Sequence, residues 1–291
     1  MSNHKHIVGF SGGIDSQAVA LWCRQCFPSE DIILLNSDAG GNEHPITEQF
    51  IRDYSRDVFP VITVQAIIAD MGTRGAKEGE TRNRRQQFAE DSPLAFEKLA
   101  FVKGIFPSRK AQFCTEHLKL MPQKRWIETN LRTHGITYER YVGVRWDESA
   151  NRAGLPMEDW DDYFVCKLYR PLADWTKQQC FDFVRNAGEP INPLYAMGFS
   201  RVGCAPCINS SKDDIRNWAA RFPEMIDKVR KWEAFCGRTF FAPMVPGKEI
   251  NWIDEVVEWA KTVHGGRQYS LPFFEAEAEQ GGCMSNYGIC E

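Results

Sequence analysis

Residues 11–16 read Ser-Gly-Gly-Ile-Asp-Ser, directly after the run His6, Ile7, Val8, Gly9, Phe10 and directly before a helical stretch beginning at Gln17. In that strand–turn–helix setting the hexapeptide predicts a phosphate loop. Gly12 and Gly13 accept positive φ and let backbone N–H groups turn inward as an anion nest, and Ser11, Ser16 and the positive end of the next helix dipole add donors. The spacing is not that of a Walker A loop, which needs Gly-Lys-Ser/Thr after a longer spacer. Nor is it the dinucleotide GxGxxG fingerprint, because no third glycine falls in place. The plainer alternative is a glycine turn that only joins strand to helix.

Cysteines carry a second signal. Cys204-Ala-Pro-Cys207 follows Gly203, where glycine and proline keep the backbone open enough for two thiolates to converge on one metal. Cys114 lies earlier in Phe113-Cys-Thr-Glu-His-Leu-Lys119, and Cys283 and Cys290 lie near residue 291. Thiolates in that number suit an iron–sulfur cluster or a structural zinc rather than Mg²⁺, and spacing alone does not choose between the two. Cys23 and Cys26 also form a CxxC, but on an amphipathic helix beside Trp22; with Cys166, Cys180 and Cys236 they are assigned to packing. Ten cysteines without a secretory signal read as reduced thiols or metal ligands, not a disulfide framework.

The elements that must position these groups alternate. Asp31–Ser37 and Val61–Gln65 are predicted strands, Ser16–Cys26 and Pro45–Val58 predicted helices, and Tyr138–Val144 a further strand. β-α-β-α-β order predicts an α/β doubly wound parallel sheet with ligand sites at the strand C-terminal ends. The loop Ser37-Asp38-Ala39-Gly40-Gly41-Asn42-Glu43 lies at such an end, so Asp38 and Glu43 face the same crevice as the phosphate loop, suited to ribose hydroxyls, Mg²⁺ or a second substrate. Arg145, at the end of Tyr141-Val-Gly-Val-Arg145, is placed to clamp an oxyanion in bidentate fashion; a surface pair with Glu148 is the alternative. Residues 66–92 carry Arg74, Lys77, Arg82, Arg84 and Arg85 without a clean period and read as a basic loop or lid. Helices are expected near Pro93–Val102 and Leu118–Leu131, and another capped by Asp174 or Thr176 and ended by Gly188. Residues 1–200 form the nucleotide-binding unit and 201–291 a helical, Cys-rich appendage. The net charge of −4 does not announce a nucleic-acid binder, and no stretch approaches the roughly 20 apolar residues of a membrane span, so a cytoplasmic location is expected.

Five segments, SGGIDS, the Asp38 loop, FCTEHLK, GVRWDES and the GCAPC block, resemble the PP-loop ATP pyrophosphatases, and within them the phosphoadenosine phosphosulfate (PAPS) reductase-like family of phage or prophage type. The resemblance implies an adenine nucleotide alpha hydrolase-like fold, with the β,γ-phosphates of ATP held by Ser11, Gly12, Gly13, Asp15 and Ser16, Mg²⁺ near Asp15, and Asp38 and Gly143 at the nucleotide. It also implies a [4Fe–4S] cluster, with Zn²⁺ as the alternative, on Cys114, Cys204, Cys207 and a fourth thiolate from the C-terminal tail, as in DNA-phosphorothioation sulfurtransferases and assimilatory adenylylsulfate reductases. Cys283 and Cys290 compete for the fourth ligand position and for sulfur carrying, with Cys290 favoured as ligand and Cys283 as the catalytic thiol. Sulfonucleotide reductases carry a degenerate loop and end in Glu-Cys-Gly-Leu/Ile-His. This chain has the complete loop and ends Tyr287-Gly-Ile-Cys-Glu291, and it has Cys114-Thr115 where cluster-bearing reductases have a double cysteine.

Those departures point to ATP. The expected reaction is adenylation of an acceptor, a nucleic acid being one class, with release of pyrophosphate under the influence of Asp15 and Arg145, followed by transfer of sulfur supplied by a donor such as a cysteine desulfurase. The alternatives are a reductase of phosphoadenylyl or adenylyl sulfate using a C-terminal cysteine, and a non-catalytic, zinc-stapled nucleotide-binding subunit.

Overall fold

The computed structural model describes residues 3–66, 94–108, 111–241 and 250–263. Cys283, Cys290 and nearly all of the basic segment 66–92 lie outside them. Six strands form one sheet: β1 (His4–Gly9), β2 (Ile32–Asp38), β3 (Val61–Gln65), β4 (Thr137–Tyr141), β5 (Glu158–Asp161) and β6 (Cys166–Tyr169). The spatial order is β3-β2-β1-β4-β6-β5, and every pairing is parallel except β5 with β6. The chain steps outward from β1 to β3, then returns to place β4 on the other side of β1. That reversal opens a crevice at the C-terminal ends of β1 and β4.

Nine helices stand among the described residues: α1 (Ile14–Cys26), α2 (Pro45–Asp57), α3 (Ala95–Lys103), α4 (Met121–Asn130), α5 (Lys177–Asn186), α6 (Pro193–Ala196), α7 (Lys212–Arg221), α8 (Pro223–Cys236) and α9 (Ile253–Lys261). Strand alternation feeds two faces: Val8 and Leu34 pack with α1, α2 and α5, and Ile7 and Leu35 with Leu120, Ile127 and Leu131 in and around α4. The architecture is thus a doubly wound α/β sheet. A separate apolar cluster joins α3 to α7, α8 and α9 through Phe96, Trp218, Trp232, Phe240 and Val256.

Local signals account for most boundaries. His44 caps α2 by accepting the Ile46 N–H at 3.0 Å, with Pro45 in the first turn. Thr176 and Gln179 form a capping box on α5, and Gly188 ends that helix at φ +73. The helix expected over Leu118–Leu131 begins earlier, as a π-helical stretch at Thr115–Leu120 that runs into α4. The β5–β6 hairpin was not foreseen: strands of four residues are too short for a period, and Glu158-Asp-Trp-Asp161 has little apolar content. It is held by buried Arg140, which pairs with Asp161 at 2.7 Å, while Asp161 also accepts the Tyr163 and Phe164 N–H groups of the turn. Cys23, Cys166, Cys180 and Cys236 are buried, as expected of packing thiols; Cys26 is exposed at the end of α1, which corrects its assignment to packing.

Candidate functional site

The loop from Ser11 to Ser16 leaves β1 and enters α1 at the sheet's reversal point, and all six residues are buried. Gly12 takes φ +75, which strains any other residue, and a Cβ there would press on the Ile51 and Thr47 side chains of α2 at 3.1 and 3.2 Å. Gly13 is extended at φ −85, so only one of the two glycines uses positive φ. The donors expected to face a ligand are turned on the loop itself. Ser11 N–H donates to Ser16 Oγ at 3.1 Å, Ser16 Oγ donates to Gly13 O at 2.9 Å, and Gly13 N–H reaches Ser11 Oγ at 3.4 Å. Ile14 N–H at the helix entrance donates to the Tyr195 hydroxyl at 2.9 Å, and Asn192 Nδ2 donates to Gly12 O at 3.2 Å. The α6 segment therefore covers the loop, a contact that no local motif signals.

Arg145 emerges just beyond β4 and is buried, as is Asp15 in the first turn of α1. Arg145 Nε lies 2.8 Å from Asp15 Oδ2, and its Nη1 pairs with Asp147. Glu148 pairs instead with Arg152, so a surface pair between Arg145 and Glu148 is ruled out. Gly143 has a plain steric reason: a Cβ would sit 2.7 Å from the Asp15 carbonyl carbon and 2.9 Å from Ser16 N. The backbone after β4 lies directly against the phosphate loop, and this closeness puts Arg145 at Asp15.

On the other side of the loop, Asp38 ends β2. Its carboxylate accepts Gly40 N–H at 2.8 Å and Gln65 Nε2 at 2.6 Å. Carboxylate oxygens of Asp38, Glu43 and Glu48 lie within 4.8 Å of one another. Burial pushes Glu43 up to about 7, with Asp38 adding to the rise and Lys119 opposing it. Its neighbour His44, stacked on Trp218, is pushed the other way by burial, down to about 4.

The cysteine motif adjoins this loop. Gly203–Ala205 runs antiparallel to Asn42–His44, with Ala205 N–H donating to Asn42 O at 2.8 Å, His44 N–H to Gly203 O at 3.3 Å, and Glu43 bridged to Cys204. Cys114, Cys204 and Cys207 all line one cavity, walled by Phe96, Leu118 and Phe240, which Asn42 and Lys119 also reach. Asn209 N–H donates to Cys207 Sγ at 3.4 Å. Among the described residues these three cysteines do not form a set with all sulfurs within 4.8 Å of one another. Lys228 of α8 donates to Gly41 O beside them; burial holds it below the ordinary lysine value, against the pull of Glu97, Cys204 and Glu48. Sequence reading assigned no role to Lys119, Lys228, Asn192 or Tyr195, all of which act at long range in the chain.

Comparison with known proteins follows the same outline. Residues 5–210 match the model of the phosphoadenosine phosphosulfate reductase domain. A 37.8 kDa protein of Escherichia phage 186 is 31% identical, over 98% of this chain and 96% of its own. The adenosine 5'-phosphosulfate reductase of Allochromatium vinosum is 33% identical over 152 residues, which cover 50% of this chain and 54% of that enzyme. A crystal structure of phosphoadenylyl-sulfate reductase from Candida auris in a phosphate complex aligns with a TM-score of 0.45 at 14% identity, covering 70% of this chain and 82% of that one.

Proposed function

Since the chain belongs to the phosphoadenosine phosphosulfate reductase domain family, we propose that it is an ATP pyrophosphatase that adenylates an acceptor and directs sulfur to it. The observation that supports this reading is the backbone pairing of Asn42–His44 with Gly203–Ala205, which sets the Cys204–Cys207 turn against the Asp38 loop, with Cys114 lining the same cavity.

In the first step an acceptor oxygen attacks the α-phosphorus of ATP, the bond to the bridging oxygen breaks, and pyrophosphate leaves. The β,γ-phosphates lie at Gly12–Ser16, where the Ile14 N–H, now taken by Tyr195, becomes a donor to phosphate once the tyrosine hydroxyl is displaced. Asp15 and Asp147 anchor the Arg145 guanidinium through Nε and Nη1, and its positive charge offsets the developing negative charge. Mg²⁺ accompanying the nucleotide would add positive charge on the leaving group; Asp15, Asp38 and Glu43 are the crevice carboxylates able to hold it, Asp15 being already turned to Arg145. In the second step a sulfur nucleophile attacks the adenylated acceptor, either hydrosulfide directly or a donor's persulfide, whose resulting mixed disulfide with the acceptor a thiol then cleaves, leaving sulfur on the acceptor and a disulfide on the donor. The new bond to sulfur forms as AMP leaves with the acceptor's former oxygen.

The thiol cavity fits an iron–sulfur cluster better than a single zinc. Tetrahedral zinc at about 2.3 Å from each sulfur needs thiolates about 3.8 Å apart, closer than the set found here. The apolar wall and the Asn209 N–H on Cys207 suit thiolate-bound iron. Cys114, Cys204 and Cys207 would hold it with a tail cysteine, Cys290 by preference, leaving Cys283 to carry sulfur; the cluster would supply a site for binding and polarising sulfur. A second reading draws on the Allochromatium relative: a tail thiolate attacks the sulfur of adenylyl sulfate, AMP leaves, and a thiol reductant releases sulfite as a disulfide forms. Product analysis separates the two. Pyrophosphate and AMP from ATP in the presence of acceptor and sulfide support the first; sulfite and AMP from adenylyl sulfate with dithiol, and no pyrophosphate from ATP, would replace it with the second.

A further inference from the structure

At the opposite end of the sheet from the crevice, two histidines and a glutamate converge. His4 and His6 are two apart on β1, so their side chains share a face, and Glu139 on β4 is the register partner of His6. One ligand atom from each of the three lies within 4.8 Å of the other two. His6 Nδ1 is 2.9 Å from Glu139 Oε1, and His4 Nε2 is 3.7 Å from Glu139 Oε2. We propose that His4, His6 and Glu139 form a binding site for a divalent transition-metal ion of the zinc class, one that staples β1 to β4 and keeps a coordination position open to solvent.

Three observations carry it. The first is spacing: ligands about 2.0–2.2 Å from a tetrahedral ion stand about 3.3–3.6 Å apart, a range that the two histidine–glutamate separations bracket. The second is the tautomer of His4. Thr137 Oγ1 lies 2.8 Å from His4 Nδ1 and 3.0 Å from Asn3 O; with its proton on Asn3 O it accepts from Nδ1, the tautomer that leaves the lone pair on Nε2, the atom turned to Glu139. Such an outer hydrogen bond is what orients a ligating imidazole. The third is the support of the other two groups. Tyr141 OH donates to Glu139 Oε1 at 2.5 Å, and the His6 ring lies flat on Phe27 with centroids 3.7 Å apart, so both are held in place. Two imidazoles and a carboxylate select zinc-class ions over Mg²⁺ and Ca²⁺, which take oxygen ligands. The His4 side chain is 38% exposed, which leaves a path for the ion.

The test is metal content and affinity of the full chain. Wild type, His4→Ala and Glu139→Gln are equilibrated with Zn²⁺, passed over a desalting column, and assayed for zinc by atomic absorption, with Co²⁺ spectra taken in parallel. Because thiols also take up zinc, the expected result is a difference: each variant retains one equivalent less than wild type, while the thiolate charge-transfer band of the Co²⁺ form keeps its intensity. Thr137→Val should weaken that same equivalent about 10- to 100-fold. His4 is the safe variant for folding, since it sits at the first position of β1; circular dichroism in chelator should match wild type. Equal zinc stoichiometry in wild type, His4→Ala and Glu139→Gln would overturn the proposal, as would loss of the equivalent only together with the thiolate band.

Discussion

The phosphate loop and the thiol cavity sit side by side but are built in opposite ways. The loop is a contiguous hexapeptide, wholly buried, with donors turned onto itself or onto α6, a positive φ at Gly12, and the backbone of Gly143 packed directly against it. The cavity collects Cys114 from the start of the π-helical stretch and Cys204 and Cys207 from a loop packed against the Asp38 loop, each thiol only partly buried. In the first region the chemistry and the fold share the same atoms. In the second they are separable, because packing of Phe96, Leu118 and Phe240 holds the wall whether or not a sulfur is present. Substitutions should therefore damage stability at the loop and function alone at the cavity.

The largest expected effect is Arg145→Ala. It leaves the fully buried Asp15 carboxylate without its 2.8 Å partner, and should cost about 4 kcal/mol in denaturant unfolding. Arg145→Lys, which keeps the charge and loses the fork, should fold and fail in turnover. The same burial means that Asp15→Ala would unsettle the fold as well as the chemistry, so Asp15→Asn is the better probe. Gly143→Ala comes next: the added Cβ meets loop backbone at under 3.0 Å, and about 3 kcal/mol should be lost. If either loop variant unfolds with the wild-type midpoint, the shared-atom picture of this region is wrong.

Between the two regions stand Glu43 and His44, whose shifts oppose each other. Glu43 is raised from 4.5 to about 7, so through that window the native chain keeps a proton that the unfolded chain has released, and stability falls as pH rises, by up to about 3 kcal/mol. His44 is lowered from 6.5 to about 4, so below about pH 6.5 the unfolded chain gains a proton that the native chain refuses, and stability falls as pH drops. Unfolding midpoints from pH 4 to pH 7.5 should thus bend upward toward acid in His44→Gln and downward in Glu43→Gln. Parallel curves for the two variants would remove burial as the cause.

The smallest stability effect is expected at the thiols. Cys204→Ser should change unfolding by no more than about 0.5 kcal/mol while abolishing iron and sulfide uptake on anaerobic reconstitution. Cys23→Ser, in the buried face of α1, should take up iron normally. Iron retention by Cys204→Ser would detach the cavity from the proposed sulfur chemistry.

What the sequence made legible follows the same division. The hexapeptide, the Asp38 loop and Arg145 could be placed because each sits at a strand end and the strands read as short apolar runs. The parallel order followed from alternation, and the capped helix after Thr176 from its box. The gathering of Cys114 with Cys204 and Cys207 was expected from resemblance, since no local pattern relates residues ninety positions apart. The burial of Asp15 against Arg145, the Tyr195 hydroxyl on the loop and the Lys228 contact with Gly41 were not legible. Each depends on a tertiary approach between segments whose own sequences are ordinary. The β5–β6 hairpin escaped because its stability rests on the Arg140–Asp161 pair, not on apolar alternation.

Nucleotide choice is settled most directly by calorimetric titration of the purified chain with ATP–Mg²⁺ and, separately, with adenylyl sulfate. A complete phosphate loop should engage the β,γ-phosphates, which adenylyl sulfate lacks, so ATP–Mg²⁺ should bind at least about tenfold more tightly, a difference of about 1.4 kcal/mol. Tighter binding of adenylyl sulfate would contradict ATP-dependent activation and leave the reductase reading in its place.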